Sequence, residues 1–186
     1  MAKPIEQFQT PPPVLRESDW MDMDLPFHIG SGRTLYSGLE SADRLRLRLF
    51  KKGDQVVGRA WFGQGADGPP GHVHGGAIAY VLDEVMGSVC WANNYPTVAA
   101  NLQFQYIRMT PLLADLVVEA KIVSVNSKRL KLEAELKLPT GETCVRSQGE
   151  FAILTYAKGE MLSKIIPDAN DLIARPNLKW AKDDEG

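Results

Sequence analysis

A chain of 186 residues, 44% apolar and 24% charged, has enough apolar material for one domain with a sizeable core. Its net charge of −2 and pI near 5.9 give no general attraction to nucleic acid or to an anionic membrane surface. No apolar run reaches the roughly 20 residues of a membrane span, and the opening Met1-Ala2-Lys3-Pro4-Ile5-Glu6-Gln7-Phe8 has no apolar leader, so a cytoplasmic protein is expected.

Residues 1–32 are proline-rich (Pro4, Pro11, Pro12, Pro13, Pro26) and lack a long period, which predicts an extension with one short helix over 17–23. Regular patterning begins near Ser41. Leu45, Leu47 and Leu49 alternate with Arg44, Arg46 and Arg48, the period of a strand with one buried face; the arginine row is expected to face solvent or another subunit. Gly53-Asp54 marks a turn, and 55–62 reads as the second strand of a hairpin.

The period then changes. Over 75–93, Ala77, Ile78, Val81, Leu82, Val85, Met86, Val89 and Cys90 recur at three- and four-residue spacing, giving a helix with a wide apolar face that ends at Asn93-Asn94-Tyr95-Pro96. Strands follow over 98–107, 115–126, 129–138 and 142–156, with turns at Asn126-Ser127 and Pro139-Thr140-Gly141. Residues 157–186 return to mixed polar character, with a short helix expected near 168–174. The chain divides into an extension (1–40), a central domain (41–156) and a C-terminal extension (157–186). A lone long helix must bury its apolar stripe against a sheet, so the fold class is α+β: a curved antiparallel sheet of about six strands wrapped around one central helix. Cys90 and Cys144 sit in apolar segments and read as reduced core thiols rather than as a disulfide or a nucleophile.

The chemistry gathers in Gly68-Pro69-Pro70-Gly71-His72-Val73-His74-Gly75-Gly76-Ala77-Ile78-Ala79, followed by Asp83. A Pro/Gly-rich loop runs straight into a helix whose first N–H groups lack partners and sit at the positive end of its dipole, a site for negative charge. This block, with Asn101-Leu102-Gln103-Phe104-Gln105-Tyr106-Ile107-Arg108-Met109-Thr110-Pro111-Leu112, resembles the hotdog-fold acyl-CoA thioesterases, in particular the PaaI-like and mammalian thioesterase-superfamily group. The likeness covers roughly residues 41–156. It implies that the N–H near Gly75 polarises the thioester carbonyl, that Asp83 is general base or nucleophile, and that His74 holds the loop and contacts substrate. Gly76 and His72 would lie beside the bound substrate. The family's Ser or Thr on the next strand falls at Ala99 here, with Thr97 two residues earlier on the same face. Lys128 and Arg129, with Lys131, are candidates to grip the phosphates of coenzyme A; a solvated strand edge is the alternative. Tyr80, Met86, Trp91, Phe104 and Tyr106 are candidates for the wall of an acyl tunnel, their orientation left open.

A helix rises about 1.5 Å per residue, so Asp83 lies roughly 12 Å beyond Gly75, too far for one side chain to span. Two antiparallel helices from two subunits would bring Gly75 of one chain to Asp83 of the other, so a homodimer or dimer of dimers is expected. Rival readings stand beside this one. Gly75-Gly76 also suits close helix–sheet packing, and Asp83 an interface ion pair. His72-Val73-His74 has metal-ligand spacing, but His28 is the chain's other histidine and further ligands are lacking, so neither metal nor cofactor is expected. The missing hydroxyl at Ala99 keeps open a non-catalytic acyl-CoA-binding module. No helix-turn-helix or basic tail points to DNA.

Overall fold

The computed structural model describes residues 4–23, 45–165 and 175–182. A hairpin of β1 (Leu45–Lys52) and β2 (Gln55–Phe62) leads through a 3-10 turn (Gln64–Ala66) to the long helix α1 (Gly75–Ala92). Four strands follow: β3 (Thr97–Tyr106), β4 (Leu116–Val125), β5 (Arg129–Lys137) and β6 (Thr143–Ile153). All pair antiparallel in the order β1-β2-β4-β5-β6-β3. The chain therefore crosses under the sheet along α1 and returns at the far edge as β3.

Each strand sends alternate residues to the helix side. Leu45 and Leu47 of β1, Leu116, Val118 and Ala120 of β4, and Leu130, Leu132, Ala134 and Leu136 of β5 are buried there against Ile78, Val81, Leu82, Val85, Met86 and Val89 of α1. The sheet admits the helix closely at Gly149, where a Cβ would lie 2.9 Å from the Met86 sulfur. β3 departs from regular alternation at a bulge: Ala99 pairs with Phe151 and Asn101 with Glu150, leaving Ala100 as the extra residue. Cys90 and Cys144 are buried and free, as the sequence predicts. No described helix is long and apolar enough to cross a membrane.

Three expectations need correction. Residues 17–23 form no helix: a turn at 18–19 leads to Met21, which exchanges backbone hydrogen bonds of 2.8 and 2.7 Å with Lys51. Arg46 does not face solvent. On the outer face of β1 it is 3% exposed, and its guanidinium bonds Asp115 at 2.7 Å and the Pro12 carbonyl. Arg59 of β2 lies beside it, 3.7 Å from the other Asp115 oxygen, donating to the Leu15 carbonyl at 3.1 Å and lying over the Trp20 ring. What covers the arginines is the N-terminal segment. It straps the outer face of the hairpin, with Ile5 and Phe8 packed on the core, the Trp61 indole donating to the Phe8 carbonyl at 3.1 Å, and Trp20 against Phe50 and Val57. Arg48 is exposed as expected, and Arg44 lies outside the described residues.

The third correction is at the C-terminal side. β6 ends at Ile153 and a helix, α2 (Tyr156–Ile165), follows where no helix is expected. It is seated by Trp180, whose ring meets Tyr156 edge-on at 5.6 Å and would lie 2.6 Å from a Cβ at Gly159. The helix expected over 168–174 lies outside the described residues.

Candidate active site

The loop before α1 is braced against itself and against the segment after β3. Gly68 N–H donates to the His72 carbonyl at 2.9 Å, His74 N–H to Ala66 at 2.8 Å and Val73 N–H to Thr110 at 2.9 Å, while Leu112 N–H bonds Gly71 at 3.1 Å. Gly68 has no room for a side chain, because a Cβ there would lie 2.7 Å from the Cα of His74 and 2.9 Å from its nitrogen. Backbone cannot yield as a flexible side chain can. Gly68→Ala is therefore expected to cost about 1–3 kcal/mol, read as a lower midpoint in denaturant unfolding.

This loop delivers His74 as the N-cap of α1. Its Nδ1 accepts the Gly76 N–H at 3.0 Å, and its carbonyl accepts Ala77 and Ile78 at 3.0 and 3.3 Å. Accepting at Nδ1 puts the neutral ring's proton on Nε2. His72 is set the other way: its Nδ1 lies 2.8 Å from the Pro70 carbonyl, which only accepts, so Nδ1 carries a proton. The first-turn N–H groups are thereby accounted for except one. Among the described residues the Gly75 N–H has no acceptor. Gly75 lines a cleft of about 310 Å³ together with Pro69, His72, Val73, Ile78, Tyr106 and Arg108. A lone donor at a helix start suits an oxygen carrying negative charge.

Asp83 is half-buried on α1 with no polar partner among the described residues, and burial pushes its carboxyl above its ordinary pKa. In one chain it does not line the Gly75 cleft. The remaining predicted residues sit at the opposite end. Thr97 opens β3, nine residues and roughly 30 Å of extended chain before Tyr106. It is buried beside Cys90, with no hydrogen-bond partner of good geometry for its hydroxyl. Lys128 and Arg129 follow the β4–β5 turn, where Asn126 Oδ1 accepts both their N–H groups at 2.9 and 2.8 Å. The register Thr97↔Ile153 and Arg129↔Ala152 puts them at the Thr97 end. Arg129 lies 3.7 Å from Glu150. One chain thus assembles His72, His74, Gly75 and Gly76, and holds Asp83, then Thr97, Lys128 and Arg129, progressively farther away. Among the tunnel candidates, Tyr106 proves to reach the helix start itself, its hydroxyl donating to the Gly75 carbonyl at 2.9 Å.

Six antiparallel strands curved around one long helix, with the helix start opening on a cleft, define a hotdog fold. Over residues 70–145 the chain matches the family model of the thioesterase superfamily. It is 27% identical over 146 residues to the acyl-coenzyme A thioesterase THEM4 of Rattus norvegicus, covering 75% of this chain and 63% of the relative. The chain thus spans less than two thirds of that relative's length. Among solved structures, a thioesterase superfamily protein is 31% identical with a TM-score of 0.55, covering 57% of this chain and 53% of its own. A hypothetical thioesterase from Streptococcus pneumoniae TIGR4, solved with coenzyme A, shares the fold at 16% identity and a TM-score of 0.55, over 57% of this chain and 87% of its own.

Proposed function

We propose that this chain hydrolyses acyl-CoA thioesters to free acid and coenzyme A, as an antiparallel pair of protomers with sites shared between them. The observation that carries the reading is the Gly75 N–H at the start of α1, which has no acceptor among the described residues. Attack on a thioester builds negative charge on the carbonyl oxygen, and one preorganised donor of this kind is worth about 3 kcal/mol. Asp83 supplies the other half, as general base on water or as nucleophile. Its raised pKa makes it a stronger base than an ordinary carboxylate, and a carboxylate with no polar partner among the described residues is free to bind water or attack. The names of the rat relative and of the coenzyme A-bound neighbour support the substrate class.

The pairing follows from β3. It is the last strand of the sheet, so one row of its N–H and C=O groups is unpaired, and it exposes Val98 and Tyr106 with Ile107 and Met109 just beyond. A two-fold joining β3 to β3 would run the helices antiparallel and bring Asp83 of one protomer toward Gly75 of the other. The same operation carries the Thr97 end, with Lys128 and Arg129, to the partner's Gly75 end, where the coenzyme A phosphates would leave the cleft. A second reading, an acyl-CoA-binding module without turnover, is favoured by Ala99, which has no hydroxyl to offer water. A thiol-release assay across acyl-CoA chain lengths, with the molecular mass in solution measured alongside, separates them. Release by a dimer or dimer of dimers supports the hydrolase. Tight binding without release supports the module, and a catalytically active monomer would overturn the shared site.

A further inference from the structure

We propose that Tyr106 is a positioning residue for the Gly75 donor, clamping with His74 the Gly75–Gly76 peptide from both of its edges. The inference rests on the thioesterase reading above and goes one step beyond it. The Tyr106 hydroxyl donates to the Gly75 carbonyl at 2.9 Å, and on the opposite edge of the same peptide the Gly76 N–H donates to His74 Nδ1 at 3.0 Å. A peptide is a rigid plane, so bonds at its two edges fix its rotation. A carbonyl has two lone pairs, and this one can take the phenol as well as the helix's own bond.

The Gly75 N–H belongs to the preceding peptide plane, joined to the clamped one at the Gly75 Cα. Two consecutive glycines would otherwise make this the freest point of the helix start. The clamp removes that freedom where the aim of a donor matters most. Both clamping groups stand on braced elements: His74 on the loop tied at Ala66, and Tyr106 on β3, held by its Tyr106↔Val145 pairing with β6. The Tyr106 ring also lies 3.4 Å from where a Cβ at position 75 would be, so the ring is in van der Waals contact with the residue whose carbonyl it holds. Partial burial pushes the phenol above its ordinary pKa, which keeps it a donor throughout the neutral range.

Tyr106→Phe keeps the ring and removes only the donor. A misaimed group in an active site costs up to about a hundredfold, so kcat for acyl-CoA hydrolysis is expected to fall tenfold or more on that scale, with KM within about twofold. Affinity for a trifluoromethyl ketone analogue, whose hydrate mimics the tetrahedral adduct, should fall in parallel while affinity for coenzyme A stays unchanged. A merely structural tether would lower the melting temperature and leave kcat and the ketone affinity alone. That result, with an active wild type, overturns the clamp and spares the hydrolase reading. A wild type that releases no coenzyme A overturns the hydrolase reading, and the clamp is then read without substrate. Amide exchange at Gly76 is expected to quicken about tenfold in Tyr106→Phe, the scale of one hydrogen bond. An unchanged exchange rate overturns the clamp.

Discussion

Asp83→Asn is expected to lower acyl-CoA hydrolysis roughly a thousandfold, within the range of a lost general base, while the fold and the assembly persist. The amide is isosteric and cannot take a proton from water. An unchanged rate in the thiol-release assay would remove Asp83 from the mechanism. The pH profile carries a second signature. In the proposed role of base Asp83 works only when ionised, and burial favours its neutral form, so the acid limb of kcat/KM should have its midpoint above the ordinary carboxylate range. Stability should move the opposite way. A carboxyl whose pKa is raised by folding favours the folded state at pH below its unfolded pKa, and that contribution is lost as pH rises through the folded pKa. Asp83→Asn is therefore expected to raise the melting temperature at pH 7 and to leave it unchanged near pH 3. Stability gained on removing a charge that activity needs is what marks a strained functional group.

Asp115→Ala should produce the largest loss of stability. Asp115 is 6% exposed and meets Arg46 at 2.7 Å and Arg59 at 3.7 Å, so its removal leaves the buried Arg46 guanidinium without a carboxylate and Arg59 with Glu17 alone, 3.7 Å away. Breaking a buried pair of this kind costs about 3–5 kcal/mol. That corresponds to a fall in melting temperature of about 10 °C for a chain of this size. The contrast is Asp22→Ala. The Arg16–Asp22 pair has a comparable distance of 2.9 Å, but both side chains are exposed, and its loss should be worth about 0–1 kcal/mol. Equal losses in the two variants, measured by urea unfolding, would show that burial is not what gives the Asp115 cluster its weight.

Much of this architecture is legible in the residues. α1 announces itself by the spacing of Ile78, Val81, Leu82, Val85, Met86 and Val89, and the six strands by alternation and turn residues, because both signals are local and repeat. Their observed limits fall within a few residues of the expected ones, and 55–62 coincides with β2. The separation of Gly75 from Asp83 follows from helix rise alone. What could not be read depends on groups that every residue has. The strap over β1 and β2 is fastened by the carbonyls of Pro12 and Leu15, which are invisible in residue type, so Arg46 looked like an ordinary surface arginine. α2 lacks a strong apolar period and is seated by Trp180, far along the chain. Tyr106 is legible only as a candidate for a tunnel wall, its orientation open, because its bond to Gly75 links residues 31 apart and depends on how β3 lies against α1.

The two buried thiols have a practical meaning for every measurement above. Cys90 is pushed up to about 12 by burial, Cys144 is raised for the same reason, and neither is exposed. A disulfide reagent reacts with thiolate, so the folded chain should be silent to the chromogen that counts liberated coenzyme A. Signal in the assay is then product, without a protein blank to subtract. The same reagent becomes an unfolding probe: once the core opens, two thiols per chain react. One cuvette can follow turnover in native buffer and, in urea, the collapse of the Asp115 variant.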